Sequence, residues 1–183
     1  MRQLKHHEQR LLKKVDFLQW KTDQSQREIT ILRRYHIQDR EDYVKYNRLC
    51  GVIKKLSNQL LALDPRDPFR CKTTEHLLEK LYNMGLITSK KSLSLCANIT
   101  ASSFCRRRLP VVMVRIKMAE TLREAVTFIE AGHVRVGPNV VNDPAMLITR
   151  TLEDFVTWTD TSKIKRHIMK YSDQLDDYDL LGN

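Results

Sequence analysis

The chain has 183 residues, 42% of them hydrophobic and 30% charged, with a net charge of +10 and a pI near 9.6. That length allows one or two small domains with a real core, not an enzyme carrying a separate recognition module. The cation excess points to a polyanionic partner, nucleic acid above all; no run approaches the ~20 apolar residues of a membrane-spanning helix, and no secretory signal is visible.

The charge is unevenly spread. Residues 1–72 hold 17 Lys and Arg against 9 Asp and Glu, and residues 73–171 hold 15 against 9. Asp173, Asp176, Asp177 and Asp179 then give an acidic end, expected to point away from a polyanion. Cys50, Cys71, Cys96 and Cys105 form no C-x-x-C pair, so reduced core thiols are expected and a zinc site is not.

Leu4, Leu11, Leu12, Val15 and Leu18 share a helical stripe flanked by Lys5, Arg10, Lys13 and Lys14, a basic amphipathic helix over 4–18. Phe17 and Trp20 add large apolar anchors just beyond it. Two readings stay open: a helix packed on its own domain, or an arm that docks these side chains on a partner protein. A second helix is expected with Ile29, Leu32 and Tyr35 inward. Asp39 is placed to cap a third over 40–63, whose seam runs Tyr43, Tyr46, Cys50, Ile53, Leu56, Leu60 and Leu63. Asp64-Pro-Arg-Asp-Pro68 should end it. Thr74 could cap a further helix stopped at Gly85, and 88–100 reads as a short helix and a loop.

From Phe104 the pattern sharpens. Leu109, Val112, Met113 and Ile116 lie on one helical face, and Pro110 sets the helix start close to Arg108. Thr121-Leu-Arg-Glu124 is a capping box opening a helix through Ile129, and Gly132 stops it. His133–Val136 alternates as a half-buried strand does, Gly137-Pro-Asn139 turns, and Val140-Val141 returns. Ile148 could begin a third strand. Phe155 and Trp158 alternate with polar residues in another, both aromatics expected in the core.

This order of helix, capped helix, glycine stop and hairpin resembles the S4 RNA-binding domain of the ribosomal protein S4 family. The resemblance is carried by Arg107-Arg108-Leu109, Thr121-Leu-Arg-Glu-Ala125, Gly132-His-Val-Arg-Val136 and Val140-Val-Asn-Asp-Pro144. It implies an α+β fold: a helical N-terminal region with the basic arm over 1–105, an S4-type domain of two helices on a short antiparallel sheet over 106–155, and a C-terminal extension with an acidic tail over 156–183. It also implies an RNA face with Arg107, Arg108, Arg123, His133 and Arg135, to which neighbouring Arg106, Arg115 and Lys117 add charge. Thr121 would stand at a helix N-terminus, where free N–H groups suit phosphate. For His133, RNA contact and packing on the hairpin both stay open, as do RNA contact and plain solvation for Lys163, Lys165 and Arg166.

Three stretches, 4–20, 101–110 and 154–166, and the acidic end depart from the mature ribosomal protein and resemble a nucleolar branch of the family. That likeness implies a subunit of the U3 small nucleolar ribonucleoprotein in the nucleolus of the nucleus. Its partners would be the U3 snoRNA, pre-ribosomal RNA and a large phosphoprotein scaffold with other processome proteins. The role expected is help with base pairing in early small-subunit assembly; a place in the mature small ribosomal subunit is the alternative. No glycine-rich nucleotide loop or nucleophile–base arrangement is visible, so no enzyme activity, cofactor, small-molecule substrate or membrane is expected.

Overall fold

The computed structural model describes residues 2–3, 5–9 and 22–174, with only the backbone of 22–26. Leu4, Leu11, Leu12, Val15, Phe17, Leu18 and Trp20, the side chains expected to dock a partner, lie outside the described residues. So do Asp176, Asp177 and Asp179.

Within residues 22–105 the first unit holds α1 (Thr22–Arg34), α2 (Arg40–Ala62), α3 (Pro68–Asn83), α4 (Ser94–Ala97) and α5 (Ala101–Cys105). The 23-residue α2 is its axis. Its seam packs inward as the spacing of three and four residues requires, with Tyr46, Cys50 and Leu60 buried and Tyr43, Ile53 and Leu56 partly so. The expectation fails at its end, because Leu63 is already the extended C-cap and is exposed. On α1, Ile31 and Leu32 face the core with Tyr35 just beyond, while Ile29 is 42% exposed.

The Asp-Pro-Arg-Asp-Pro break ends α2, but its second proline opens α3 six residues before Thr74. Proline suits the first turn because its missing N–H would have had no helical partner, and the Asp67 carboxylate accepts the Phe69 N–H at 2.9 Å. Gly85 then takes a left-handed φ of +75°, and a Cβ there would sit 2.9 Å from Nε of Arg107. The bend therefore needs glycine for conformation and for space.

The second unit holds α6 (Leu109–Arg115), α7 (Leu122–Glu130) and a three-stranded antiparallel sheet in the order β2-β1-β3. Its strands are β1 (Val134–Val136), β2 (Asn139–Val140) and β3 (Val156–Trp158), with Arg135 opposite both Val140 and Thr157. Leu109, Val112, Met113, Ala125 and Ile129 from the helices close on Val134, Val136, Ile148 and Val156. The helices thus cover one face of the sheet and leave Arg135 on the other, as strand alternation dictates.

Two sequence expectations change here. Ile148 starts no strand: it is buried, and its neighbour Leu147 makes one isolated bridge to Arg108. The third strand is Val156–Trp158, just past residue 155, and the alternation turns Phe155 outward at 57% exposure while Trp158 packs edge-on against Phe128. A further helix, α8 (Lys163–Tyr171), is capped by Ser162.

Cys50, Cys96 and Cys105 are buried thiols of the first core, and burial pushes Cys105 up to about 11; Cys71 is exposed. Because thiolate is the reactive form, a native-state labelling assay with an aromatic disulfide reagent should modify one thiol, Cys71, within seconds. The other three should react only as the protein unfolds. Rapid labelling of two or more in folded protein would contradict this core.

Candidate nucleic-acid interface

The first core ends at Cys105 and the second begins at Leu109. Arg106, Arg107 and Arg108 fill the gap. The backbone turns here between α5 and α6, so the three side chains leave in different directions. Ile148 donates its N–H to the Arg107 carbonyl at 2.8 Å, and Leu109 donates to Met146 at 2.9 Å, fastening the turn to the later loop.

Only Arg106 is exposed, with Nε 3.4 Å from the Tyr35 hydroxyl. The Arg107 side chain is 6% exposed; Nε donates to the Ile148 carbonyl at 2.8 Å and Nη1 to Glu153 at 3.1 Å. The Arg108 side chain is 3% exposed, and Nη1 donates to Asp42 at 2.8 Å and to the Tyr46 hydroxyl at 3.1 Å. Burial is the largest influence on the Arg108 guanidinium and pulls its pKa down, but Asp42 and Tyr46 together outweigh it and leave it raised. The Arg107 and Arg108 side chains are thus buried and paired where the two units join, rather than standing free on an exposed face. The physical reason is visible in α2, where Asp42 and Tyr46 stand one turn apart on the face that meets this corner, and Tyr46 also stacks on Phe104 at 5.5 Å.

Thr121 is also spoken for. Its hydroxyl accepts the Glu124 N–H at 3.3 Å and the Glu124 carboxylate accepts the Thr121 N–H at 3.3 Å. The α7 N-terminus is closed by its own capping box, with Glu120 and Glu124 beside it, and so does not offer Thr121 to phosphate.

The remaining cations fall into separate groups. Lys117, at a left-handed φ of +64°, and Arg123 stand exposed at the α6–α7 loop and the start of α7. Arg115 is half-exposed and ion-pairs with Glu153. On the outer face of the sheet Arg135 donates to Thr157 at 3.1 Å and to Asp160 at 2.6 Å, and Asp160 also pairs with Lys165. Those partners, the Lys165 hydrogen bond first, hold the Asp160 carboxyl below its ordinary value. His133 is half-buried with Nδ1 3.2 Å from the Ser162 hydroxyl, which fastens α8 to the hairpin. Lys163 and Arg166 are exposed on α8. The helix-side pair Lys117 and Arg123 and the sheet-side group around Arg135 therefore lie on different faces of the domain.

Sequence reasoning missed Arg150. Its guanidinium lies 4.1 Å over the Tyr82 ring and donates to the Ile87 carbonyl at 2.8 Å, while its backbone N–H donates to Asn83 at 2.9 Å. A single arginine in a loop carries no pattern that would have marked it. Among the described residues no cluster of three or more His, Cys, Asp or Glu is placed to hold a metal ion, and no helix is long and apolar enough to cross a membrane.

Residues 3–106 match the ribosomal protein S4/S9 N-terminal domain and residues 107–154 match the S4 domain, a division that falls within the arginine corner. The chain is 60% identical over 180 residues to the U3 small nucleolar ribonucleoprotein protein IMP3 of Saccharomyces cerevisiae, covering 98% of each chain. It belongs to the IMP3 branch of the S4 family. The human protein of that name is 55% identical over 181 residues, again 98% of each chain. Small ribosomal subunit protein uS4 of Hyperthermus butylicus is 28% identical over 143 residues, covering 78% of this chain and 80% of its own. The α+β architecture that the resemblance implies is the one observed.

Removing one partner of a buried ion pair strands the other charge, which costs about 3–5 kcal/mol, whereas replacing the pair by apolar side chains costs much less. Asp42→Ala should therefore destabilise the protein by about 3 kcal/mol in urea unfolding. The double change Asp42→Leu with Arg108→Met should recover most of that loss. A loss below about 1 kcal/mol, the range of an exposed pair, would mean that the corner is solvated.

Proposed function

We propose that this chain is an RNA-binding subunit of a U3 small nucleolar ribonucleoprotein, resident in the nucleolus. In this reading it performs no chemistry: it holds backbone phosphates of the snoRNA and of pre-ribosomal RNA close together, so that repulsion between strands falls as they pair. A large phosphoprotein scaffold and other processome proteins would place it, with the segment 4–20 as the docking arm. The observation that carries the proposal is an S4 domain fixed against a basic helical unit, with Lys117 and Arg123 exposed at the α6–α7 loop. Near-full-length likeness to proteins named as U3 ribonucleoprotein subunits supports the cellular setting. The likeness to uS4 is shorter and weaker, which ranks a place in the mature small subunit second.

Cations that neutralise backbone phosphates fix a protein on RNA without reading sequence, and the salt dependence of binding scales with the number of phosphates neutralised. Lys117→Gln with Arg123→Gln should weaken binding to U3 and pre-ribosomal RNA fragments alike and flatten the logarithmic salt slope by about 1 unit for each phosphate no longer neutralised. Unchanged affinity and slope would remove this loop from the RNA interface. Charge reversal at Arg107 or Arg108 is a poor probe, because both side chains are buried. On a sucrose gradient of nuclear and cytoplasmic extract the protein should sediment with large nuclear particles; co-sedimentation with translating ribosomes would favour the second reading.

A further inference from the structure

Between the α3–α4 connection and the turn Glu153–Phe155 lies a cleft of about 320 Å³, lined by Arg106, Arg107, Arg115 and Arg150 with Ser103 and Glu153 among their neighbours. Four arginines and one carboxylate line it, and Glu153 is shared between Arg107 and Arg115. Arg107 lines the cleft as a buried side chain, and its Nη2 is buried with no hydrogen-bond partner; Nε of Arg150 is buried and unpartnered in the same way. A buried donor left unpaired costs about 1–3 kcal/mol, so two of them in one like-charged pocket mark a place short of acceptors. Burial first, then the like charges of Arg115 and Arg150, hold the Arg107 pKa below its ordinary value against the pull of Glu153. Gly85 leaves room for Arg107, since any side chain there would press on it.

We propose that this cleft seats one backbone phosphate of RNA, as a second anchor beyond the Lys117–Arg123 loop. A tetrahedral oxyanion supplies several acceptors at once, and the planar guanidinium fork matches it two bonds at a time. RNA is favoured over a phosphorylated protein segment by continuity: Arg115 ends α6 and Lys117 stands two residues on, so one strand can pass from the loop into the cleft. The seat would clamp RNA across both units, since Arg106 and Arg107 join the cores and Arg150 is fastened to α3. It rests on the RNA-binding reading above.

The test uses the full chain and three probes: a short oligouridylate, a phosphoserine peptide and inorganic phosphate. Arg106→Gln with Arg115→Gln changes only exposed residues and is compared with Lys117→Gln plus Arg123→Gln and with all four changes together. The cleft pair should weaken oligouridylate binding by roughly tenfold, lower the salt slope by about 0.7 for the one phosphate of a single strand that is no longer neutralised, and add to the effect of the loop pair. In the unaltered chain, the side-chain Nε–Hε NMR signals of Arg107 and Arg150 should shift with oligouridylate, which decides the matter should the cleft pair fail to fold. If the loop pair weakens binding while the cleft pair does not, or if the Arg107 and Arg150 signals stay still, the seat is overturned and the RNA-binding reading stands. Loss of phosphopeptide or free-phosphate binding with oligouridylate affinity intact would overturn it in favour of another phosphate. If neither pair alters RNA affinity, the RNA face falls as well.

Discussion

Arg108 leaves water to meet Asp42 and Tyr46 of α2, and the S4 domain is aligned against the helical unit through that contact. An exposed ion pair in the same place would contribute at most about 1 kcal/mol and would tolerate many geometries. Withdrawn from solvent, the guanidinium tolerates few, because any displacement leaves a charge or a hydroxyl unpaired. Arg107 repeats the device on the other side of the turn with Ile148 and Glu153. The two units therefore have separate apolar cores and a polar seam between them, in which orientation is specified by directional bonds rather than by area.

That arrangement decides where the usable positive charge lies. Two of the three consecutive arginines are consumed by the seam, and Arg135 and Lys165 are tied to Asp160 on the outer face of the sheet. Among the S4-domain cations described, Lys117 and Arg123 stay exposed at the α6–α7 loop, and Arg106 and Arg115 at the rim of the cleft beside it. Because Arg150 is fastened to α3 while Arg115 ends α6, a phosphate held between them would sense the relative position of the two units.

The sequence pattern is most informative where local physics decides the outcome. The capping box at Thr121, the stop at Gly132 and the start of α6 near Pro110 all follow from a few neighbouring residues, and each appears in the structure. The seam of α2 is legible for the same reason. Pro68 is ambiguous because a proline can close one element or open the next, and only the following residues decide. Arg107 and Arg108 escape prediction for a different reason: their partners are 46 and 66 residues away, and no periodicity signals such a pairing. Phe155 turns outward because it lies three residues from Trp158, and period-two alternation puts the two on opposite faces. Arg150 carries no local pattern at all.

The arginine corner should make the two cores behave as one body. Native-state hydrogen exchange across a series of sub-denaturing urea concentrations tests it most directly, by comparing core amides of α2, such as Leu60, with those of α7, such as Ile129. The account predicts that both sets converge on one opening free energy with the same urea dependence. Opening of the S4 domain at a free energy lower by about 2 kcal/mol or more, with a smaller urea dependence while α2 stays protected, would show two independent foldons and contradict it.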